Sequence, residues 1–293
     1  MTKCNLCPRQ CGADRENQIG FCGAGAMIKV ARAMPHHWEE PCLSGERGSG
    51  TVFFSGCQLK CIYCQNHEIS DGANGKEISW EHLTQVFFRL KEQGVHNINL
   101  VTPDPYLPQV SLAIKSAKAQ GIGLPFVMNC SGYETVDSIR TLEGLIDIYL
   151  PDFKYMSPIL AKRFSRAKEY PTIAKEAIAE MVRQQPSASF SPDGIMQKGV
   201  IIRHLLLPGC TYDTKRVLAY LHQTYGDSVY ISIMSQYTPV CTHNDPELNR
   251  TVTQEEYDEV VDFAWNLGVR NAFIQDGSAA SESFIPTFRG EGV

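Results

Sequence analysis

Three cysteines in the run Gly56-Cys57-Gln58-Leu59-Lys60-Cys61-Ile62-Tyr63-Cys64-Gln65-Asn66 stand at C-x3-C-x2-C spacing. Three thiolates on one short loop can hold three irons of a [4Fe-4S] cubane, where a ferredoxin supplies a fourth cysteine. The remaining iron keeps an open position, and an open metal position is where a small ligand binds and is activated. The competing use is a zinc knuckle. Zinc takes four ligands, commonly in C-x2-C pairs, and this loop contains no fourth cysteine.

A second group, Cys4-x2-Cys7-x3-Cys11-x10-Cys22, supplies four thiolates, enough for a closed site. It reads as structural zinc or as an auxiliary [4Fe-4S] cluster, with free thiols as the remaining alternative. The proline after Cys7 leans toward iron, while a small segment that needs metal to fold suits zinc. His36, His37 and Cys42 are candidate replacement ligands. Cys130, Cys210 and Cys241 fall at or just past the ends of predicted strands, where a thiol can donate a hydrogen atom or ligate, although the commoner use of cysteine is as a small buried apolar residue. Eleven cysteines, odd in number and mostly in two tight groups, are not laid out as a disulfide framework. A reducing, cytoplasmic compartment is expected.

The elements that must position these groups begin at about residue 49. Short apolar runs alternate there with amphipathic stretches, the pattern of repeated βα units. The expected strands are Thr51 to Ser55, Ile98 to Thr102, Pro125 to Cys130, Ile146 to Phe153, Gly199 to Leu207 and Val229 to Gln236, with a short seventh at Ala272 to Gln275. Helices are expected at Trp80 to Gln93, Tyr106 to Gln120, Glu134 to Leu142, Ser157 to Gln184 with a break at Pro171, Asp213 to Tyr225, and Thr253 to Leu267. The last carries Glu256 three residues after Thr253, the capping-box spacing. Buried strands alternating with helices imply a parallel sheet, so the fold class is α/β, an incomplete (β/α)6 TIM-like barrel with its chemistry at the C-terminal strand ends. Residues 1–48 form a Cys-rich metal- or cluster-binding segment, 49–276 the barrel and 277–293 a weakly ordered tail.

The triplet loop directly after the first barrel strand is similar to that of the radical S-adenosylmethionine (SAM) superfamily. The runs HNINLVTP at 96–103, PDFKY at 151–155 and MSQYTP at 234–239 resemble the pyruvate formate-lyase activating-enzyme-like group, the PflX type. The resemblance implies an oxidoreductase in which Cys57, Cys61 and Cys64 hold the catalytic [4Fe-4S] cluster. That cluster cleaves SAM reductively to methionine and a 5′-deoxyadenosyl radical. It further implies a low-potential electron donor such as flavodoxin or ferredoxin, and a glycine of a partner protein as the site of hydrogen abstraction. A peptide, nucleotide or small metabolite is the alternative substrate, and a non-catalytic iron-sulfur protein the reading outside enzymes.

Cofactor contacts are expected at Tyr63 beside the third cysteine and at Thr102. The sequence Val101-Thr102-Pro103-Asp104 stands where the family usually has Gly-Gly-Glu for the SAM amino group. Asp152 and Lys154, two apart and so on one face of a strand, resemble the pair that meets ribose and carboxylate in activating enzymes; an ion pair of purely structural role is the other use. Of Arg203 and His204, which interrupt an apolar run, the resemblance assigns Arg203 to the cofactor. Asn129, Ser131 and Gln236, with Tyr237, lie at strand ends suited to ribose and adenine.

Composition excludes other classes. With 43% hydrophobic and 20% charged residues over 293 positions, the chain is of globular type. A net charge of −5 and no basic run with aromatics make nucleic acid a poor partner. No stretch approaches the ~20 apolar residues of a membrane span, and the N-terminal MTKCNLCPRQC lacks the apolar core of a secretory signal.

Overall fold

A computed structural model describes residues 3–274 and 288–293. Among these, ten strands join one sheet system: β1 (Ile28–His36), β2 (Ser49–Phe54), β3 (Lys76–Ile78), β4 (Ile98–Val101), β5 (Phe126–Cys130), β6 (Ile148–Pro151), β7 (Ser189–Phe190), β8 (Met196–Leu205), β9 (Tyr230–Met234) and β10 (Ala272–Ile274). The order is β10-β9-β8-β6-β5-β4-β2-β1-β3, with β7 beside β8. From β2 through β4, β5, β6, β8 and β9 to β10, every pairing is parallel. The sheet does not close on itself, and the architecture is the incomplete TIM-like barrel that the alternation implied.

Strands β2, β4, β5 and β6 are buried along their whole length, because helices cover one face and barrel contents the other. The covering helices are α1 (Pro41–Ser44), α2 (His67–Ser70), α3 (Trp80–Glu92), α4 (Leu107–Ala119), α5 (Val136–Arg140), α6 (Pro158–Ser165), α7 (Tyr170–Gln184), α8 (Thr211–Tyr225) and α9 (Gln254–Leu267). Several begin where local chemistry dictates. Ser79 accepts from the His82 N–H, Ser157 from the Leu160 N–H, and Thr253 with Glu256 forms the expected capping box.

The break expected at Pro171 lies earlier. Arg166 ends α6 in the left-handed region at φ 52°, and α7 then starts at Tyr170 with Pro171 in its first turn, where a missing N–H costs nothing.

Strand β1 falls inside the segment expected to be metal-organised loop. Its residues Ile28, Val30, Ala31 and Ala33 are buried, and it runs antiparallel to β2. This has a consequence for the replacement ligands. At about 3.4 Å per residue, β1 carries His36 to the level of Ser49, the end of β2 away from Cys57. His36 there packs edge-on against Phe53 at 5.9 Å, and burial with the neighbouring His37 lowers its pKa to about 4. Cys42 lies in a small core cluster with Leu43 and Met196, and burial pushes its thiol up to about 12. These residues are therefore separated by the length of the strand from the N-terminal cysteines.

Of the expected tail, residues 277–287, like Gln275 of the seventh strand, lie outside the described residues. Residues 288–293 return to β1: Gly290 N donates to Ala31 O at 2.8 Å, Ala33 N donates to Glu291 O at 3.0 Å, and Phe288 packs on Phe53.

Candidate active site

Strand β2 ends at Phe54, and the chain turns through Ser55 and Gly56 into the loop that carries Cys57, Cys61 and Cys64. All three thiols are half-buried and free. Burial pushes Cys57 well above the ordinary thiol value, and the Cys61 and Cys64 charges add to it; Cys64 is pushed up to about 11 by burial and then by Cys61. Three thiols held this close disfavour ionisation in each other, and bound iron cations reverse that balance by coordinating thiolate outright. Among the described residues no three of His, Cys, Asp and Glu are spaced to share a single metal ion. A cubane places each thiolate on its own iron and so asks for a wider triangle than one ion does. The loop fits the cluster in donor type and in number.

The surroundings of the loop are polar and aromatic. Ser165 Oγ lies 2.9 Å from Cys61 Sγ, and Tyr155 bridges Ser165 at 2.7 Å and Tyr63 at 2.6 Å. Tyr63 is buried, its ring edge-on to Phe164 and Tyr237, and burial raises its hydroxyl well above the ordinary value. Hydrogen bonding to cluster sulfurs is one of the means by which a protein tunes such a site.

Next to the loop is a network of buried charge. Lys154 Nζ lies 2.6 Å from Asp152 Oδ2, and Arg203 Nε donates to Asp152 Oδ1 at 3.0 Å. The same guanidinium reaches Asn129 Oδ1 at 2.5 Å and Glu39 Oε2 at 3.4 Å, while Asn99 donates to Glu39 Oε1 at 3.0 Å. Burial raises the Asp152 pKa, but Lys154 and Arg203 outweigh it and hold the carboxyl below its usual value. Burial opposes the charge on Lys154 in the same way, and Asp152 outweighs it and keeps the pKa raised, with the Cys61 and Cys64 sulfurs nearby. Lys154 is thus within electrostatic reach of two of the three thiols of the loop.

Arg203 and His204 resolve as alternation demands. Arg203 faces the barrel interior, and His204 faces the helices, bonded to Phe153 O at 2.6 Å and Thr214 Oγ1 at 2.9 Å. Thr102 follows β4 with φ 56°, a conformation that costs a β-branched residue free energy, and its N–H donates to Asn129 O at 2.8 Å. Ser131 Oγ is engaged by Glu134 at 3.1 Å and by Gln58 at 3.3 Å. Gln236 has only a weak contact, to Met234 Sδ at 3.8 Å, whereas the buried Tyr237 hydroxyl is bonded to Leu248 O at 2.6 Å. Cys130 is buried in the main core, Cys210 is half-buried at the start of α8, and Cys241 is exposed.

Two groups were not anticipated. Asp104 and Glu134 are buried acids in contact with each other beside Gln58, and burial raises the pKa of both. Among the described residues neither Asp104 oxygen, nor Glu134 Oε2, has a hydrogen-bond partner. Asp104 also adds to the charge felt by Cys57. The only sequence signal was its place, two residues past the strand-end Thr102. Glu39 is the other, brought to Arg203 across 164 positions of sequence from the turn after β1.

A partial barrel with a three-thiol loop after its first parallel strand defines a class of cluster-dependent enzyme. The match to the Radical SAM superfamily model spans residues 51–221, more than half of the chain, and the protein belongs to that superfamily. The family implies a [4Fe-4S] cluster and SAM as its cofactors. The uncharacterized protein MJ0674 of Methanocaldococcus jannaschii is 28% identical over 272 residues, covering 89% of this chain and 74% of the relative. The fold is similar to HydG, a maturase of the [FeFe]-hydrogenase, at a TM-score of 0.53 and 14% identity, covering 78% of this chain and 52% of that one. It is also similar to SuiB of Streptococcus suis bound to S-adenosylmethionine, at 0.51 and 11%, covering 75% and 48%. The chain spans about half the length of these solved structures. Among the described residues no helix is long and apolar enough to cross a membrane.

Proposed function

We propose that the chain is a radical SAM enzyme in which Cys57, Cys61 and Cys64 hold the cluster and the residues around their loop hold SAM. Bound there, the cluster supplies one electron to SAM, and reductive cleavage yields methionine and a 5′-deoxyadenosyl radical. The observation that carries this reading is the half-buried triplet at the C-terminal end of β2 with Lys154 in reach of two of its thiols.

The residues divide the ligand between them. Lys154, fixed by Asp152, presents a cation to the carboxylate of SAM; Asp152 keeps Lys154 charged. Asp104 and Glu134 offer carboxylate oxygens with no donor of their own, and an ammonium group is the partner such a pair lacks. This assigns the amino group to Asp104 and Glu134 in place of Thr102, whose strained backbone fixes the turn leading to Asp104. Asn129 and Ser131 act as positioning residues, since Arg203 and Glu134 already engage them, and Gln236, whose amide among the described residues meets only Met234 Sδ at 3.8 Å, serves the adenosyl end. Tyr63 and Tyr155 close the floor beneath Cys61.

The substrate we propose is a glycine of a partner protein, reached through the gap that the unclosed sheet leaves, with flavodoxin or ferredoxin as electron donor. A peptide substrate is the second reading, and the likeness to SuiB, solved also with its precursor peptide SuiA, supports it. The N-terminal cysteines form a second metal site. We place the domain boundary just ahead of β1, because Ile28–His36 belongs to the sheet. Thiol ligands and eleven free cysteines fit the cytoplasm.

Lys154→Ala and Asp104→Asn are expected to weaken SAM binding at least ~10-fold each, the scale of one lost charge-assisted hydrogen bond. The iron content of the triplet site stays unchanged in both. Isothermal titration with SAM under anaerobic conditions measures this. Unchanged affinity in Lys154→Ala would return Asp152 and Lys154 to a structural ion pair.

A further inference from the structure

The four N-terminal thiols come together through tight turns. Cys4 N donates to Ala13 O at 3.0 Å and Gly12 N donates to Cys4 O at 3.1 Å, which folds Cys4 back beside Cys11; Gln10 N donates to Cys7 O at 3.0 Å. A Cβ built on Gly20 would stand 3.5 Å from Cys22 Sγ and 3.6 Å from Cys11 Sγ, so both sulfurs face one point. The same turn brings Cys4 and Cys11 together and carries Cys7, three residues after Cys4. Among the described residues no three of His, Cys, Asp and Glu are grouped to hold a single ion, and four thiols match a cubane in donor type and number. Two thiol groups of one chemistry, neither arranged for a single ion, are explained by one kind of occupant. For the triplet the superfamily implies a cubane.

The segment is also built onto the triplet loop. Cys22 O accepts from Cys57 N at 2.9 Å, joining the last N-terminal thiol residue to the first residue of the triplet. Gly56 has φ +91°, and a Cβ there would stand 2.8 Å from Cys22 O. Gly23 and Gly72 face each other as closely: a Cβ on Gly72 would lie 2.2 Å from Gly23 O, so backbone stacks on backbone where the loop leaves α2. From between Cys7 and Cys11, Arg9 donates to Gln58 O at 2.9 Å, Arg166 O at 2.6 Å and Ser165 O at 3.2 Å. Ser165 is the residue that touches Cys61. The segment therefore holds the start of the triplet loop, the turn after α2, and the residue that touches Cys61.

We propose that Cys4, Cys7, Cys11 and Cys22 hold an iron-sulfur cluster of their own, and that this cluster, through the Cys22–Cys57 junction and Arg9, fixes the shape of the catalytic loop. A segment with few apolar residues owes its order to metal-binding free energy, and here that order is passed to residues 56–58. The proposal rests on the reading of Cys57, Cys61 and Cys64 as the catalytic cluster site.

The test is reconstitution of the full chain with ⁵⁷Fe and sulfide in the absence of oxygen, followed by metal analysis, Mössbauer and electron paramagnetic resonance spectra. The wild type should contain two cubane equivalents and no zinc. Cys7→Ala with Cys11→Ala should lose half of the iron and alter the resonance of the remaining cluster. Arg9→Ala, which removes no thiol, should keep both clusters and show the same altered resonance. Gly56→Ala should lower iron at the triplet, whereas Gly94→Ala, with φ +82° but nothing within 4 Å of its Cβ, should not.

Zinc in place of iron at the N-terminal site overturns the assignment. Two clusters with the catalytic resonance unchanged in both the double variant and Arg9→Ala overturns the coupling. A single cubane that disappears in Cys61→Ala but survives loss of the N-terminal thiols refutes this inference and leaves the proposed function standing.

Discussion

Asp152→Ala should lower the unfolding free energy by about 3 kcal/mol or more, the scale for removing one partner from a buried charge network. Asp152 stands between Lys154 at 2.6 Å and Arg203 at 3.0 Å, with all three side chains under a fifth exposed. Without the carboxylate two cations face each other across the barrel, and Glu39 at 3.4 Å compensates only Arg203. Denaturant unfolding of the metal-free chain measures the change, with Asp137→Ala as comparison. The Asp137 side chain is 94% exposed in its ion pair, and its loss should change stability by ~0.5 kcal/mol or less. A cost below ~1 kcal/mol for Asp152→Ala would mean that water reaches the interior and screens the network.

The largest effect on activity is expected from Cys61→Ala. With one of three thiolates gone the loop cannot hold a cubane with a single open iron, and release of 5′-deoxyadenosine from SAM under a strong reductant should fall to background. Iron bound at the triplet should fall with it. Full cleavage in this variant would mean that the cluster sits elsewhere. Ser165→Ala is the milder neighbour: it removes the hydroxyl 2.9 Å from Cys61 Sγ but no ligand, and should leave cleavage measurable.

Much of this arrangement is legible in the sequence because the parallel strands are short apolar runs and the triplet is contiguous. Both signals are local. Alternation placed Asp152 and Lys154 on one face, and it required Arg203 and His204 to part, one inward and one outward. What stayed hidden depends on distance along the chain. Glu39 meets Arg203 across 164 positions, and nothing near Glu39 marks it as a barrel residue. Asp104 was visible only as a departure from the family's Gly-Gly-Glu. Its burial against Glu134 follows from how β4 and β5 end side by side.

Strand β1 was missed for a different reason. Its apolar residues Ile28, Val30, Ala31, Ala33 and Met34 alternate imperfectly, and an irregularity in pairing sits between Val30 and Arg32. In a Cys- and Gly-rich context that pattern reads as loop. The resulting boundary at residue 48 made the N-terminal cysteines look like an appendage. The bonds from Cys22 and Arg9 tie them to Cys57 and Gln58, and removing them is expected to disturb the triplet loop.

One iron of the proposed Cys57–Cys61–Cys64 cluster is expected to be open and to take SAM. Mössbauer spectroscopy of the ⁵⁷Fe-reconstituted chain, recorded before and after SAM is added, tests it most directly. The signal of one iron site should move on addition of SAM while the other sites of the same cluster keep theirs. A spectrum unchanged by saturating SAM would contradict it.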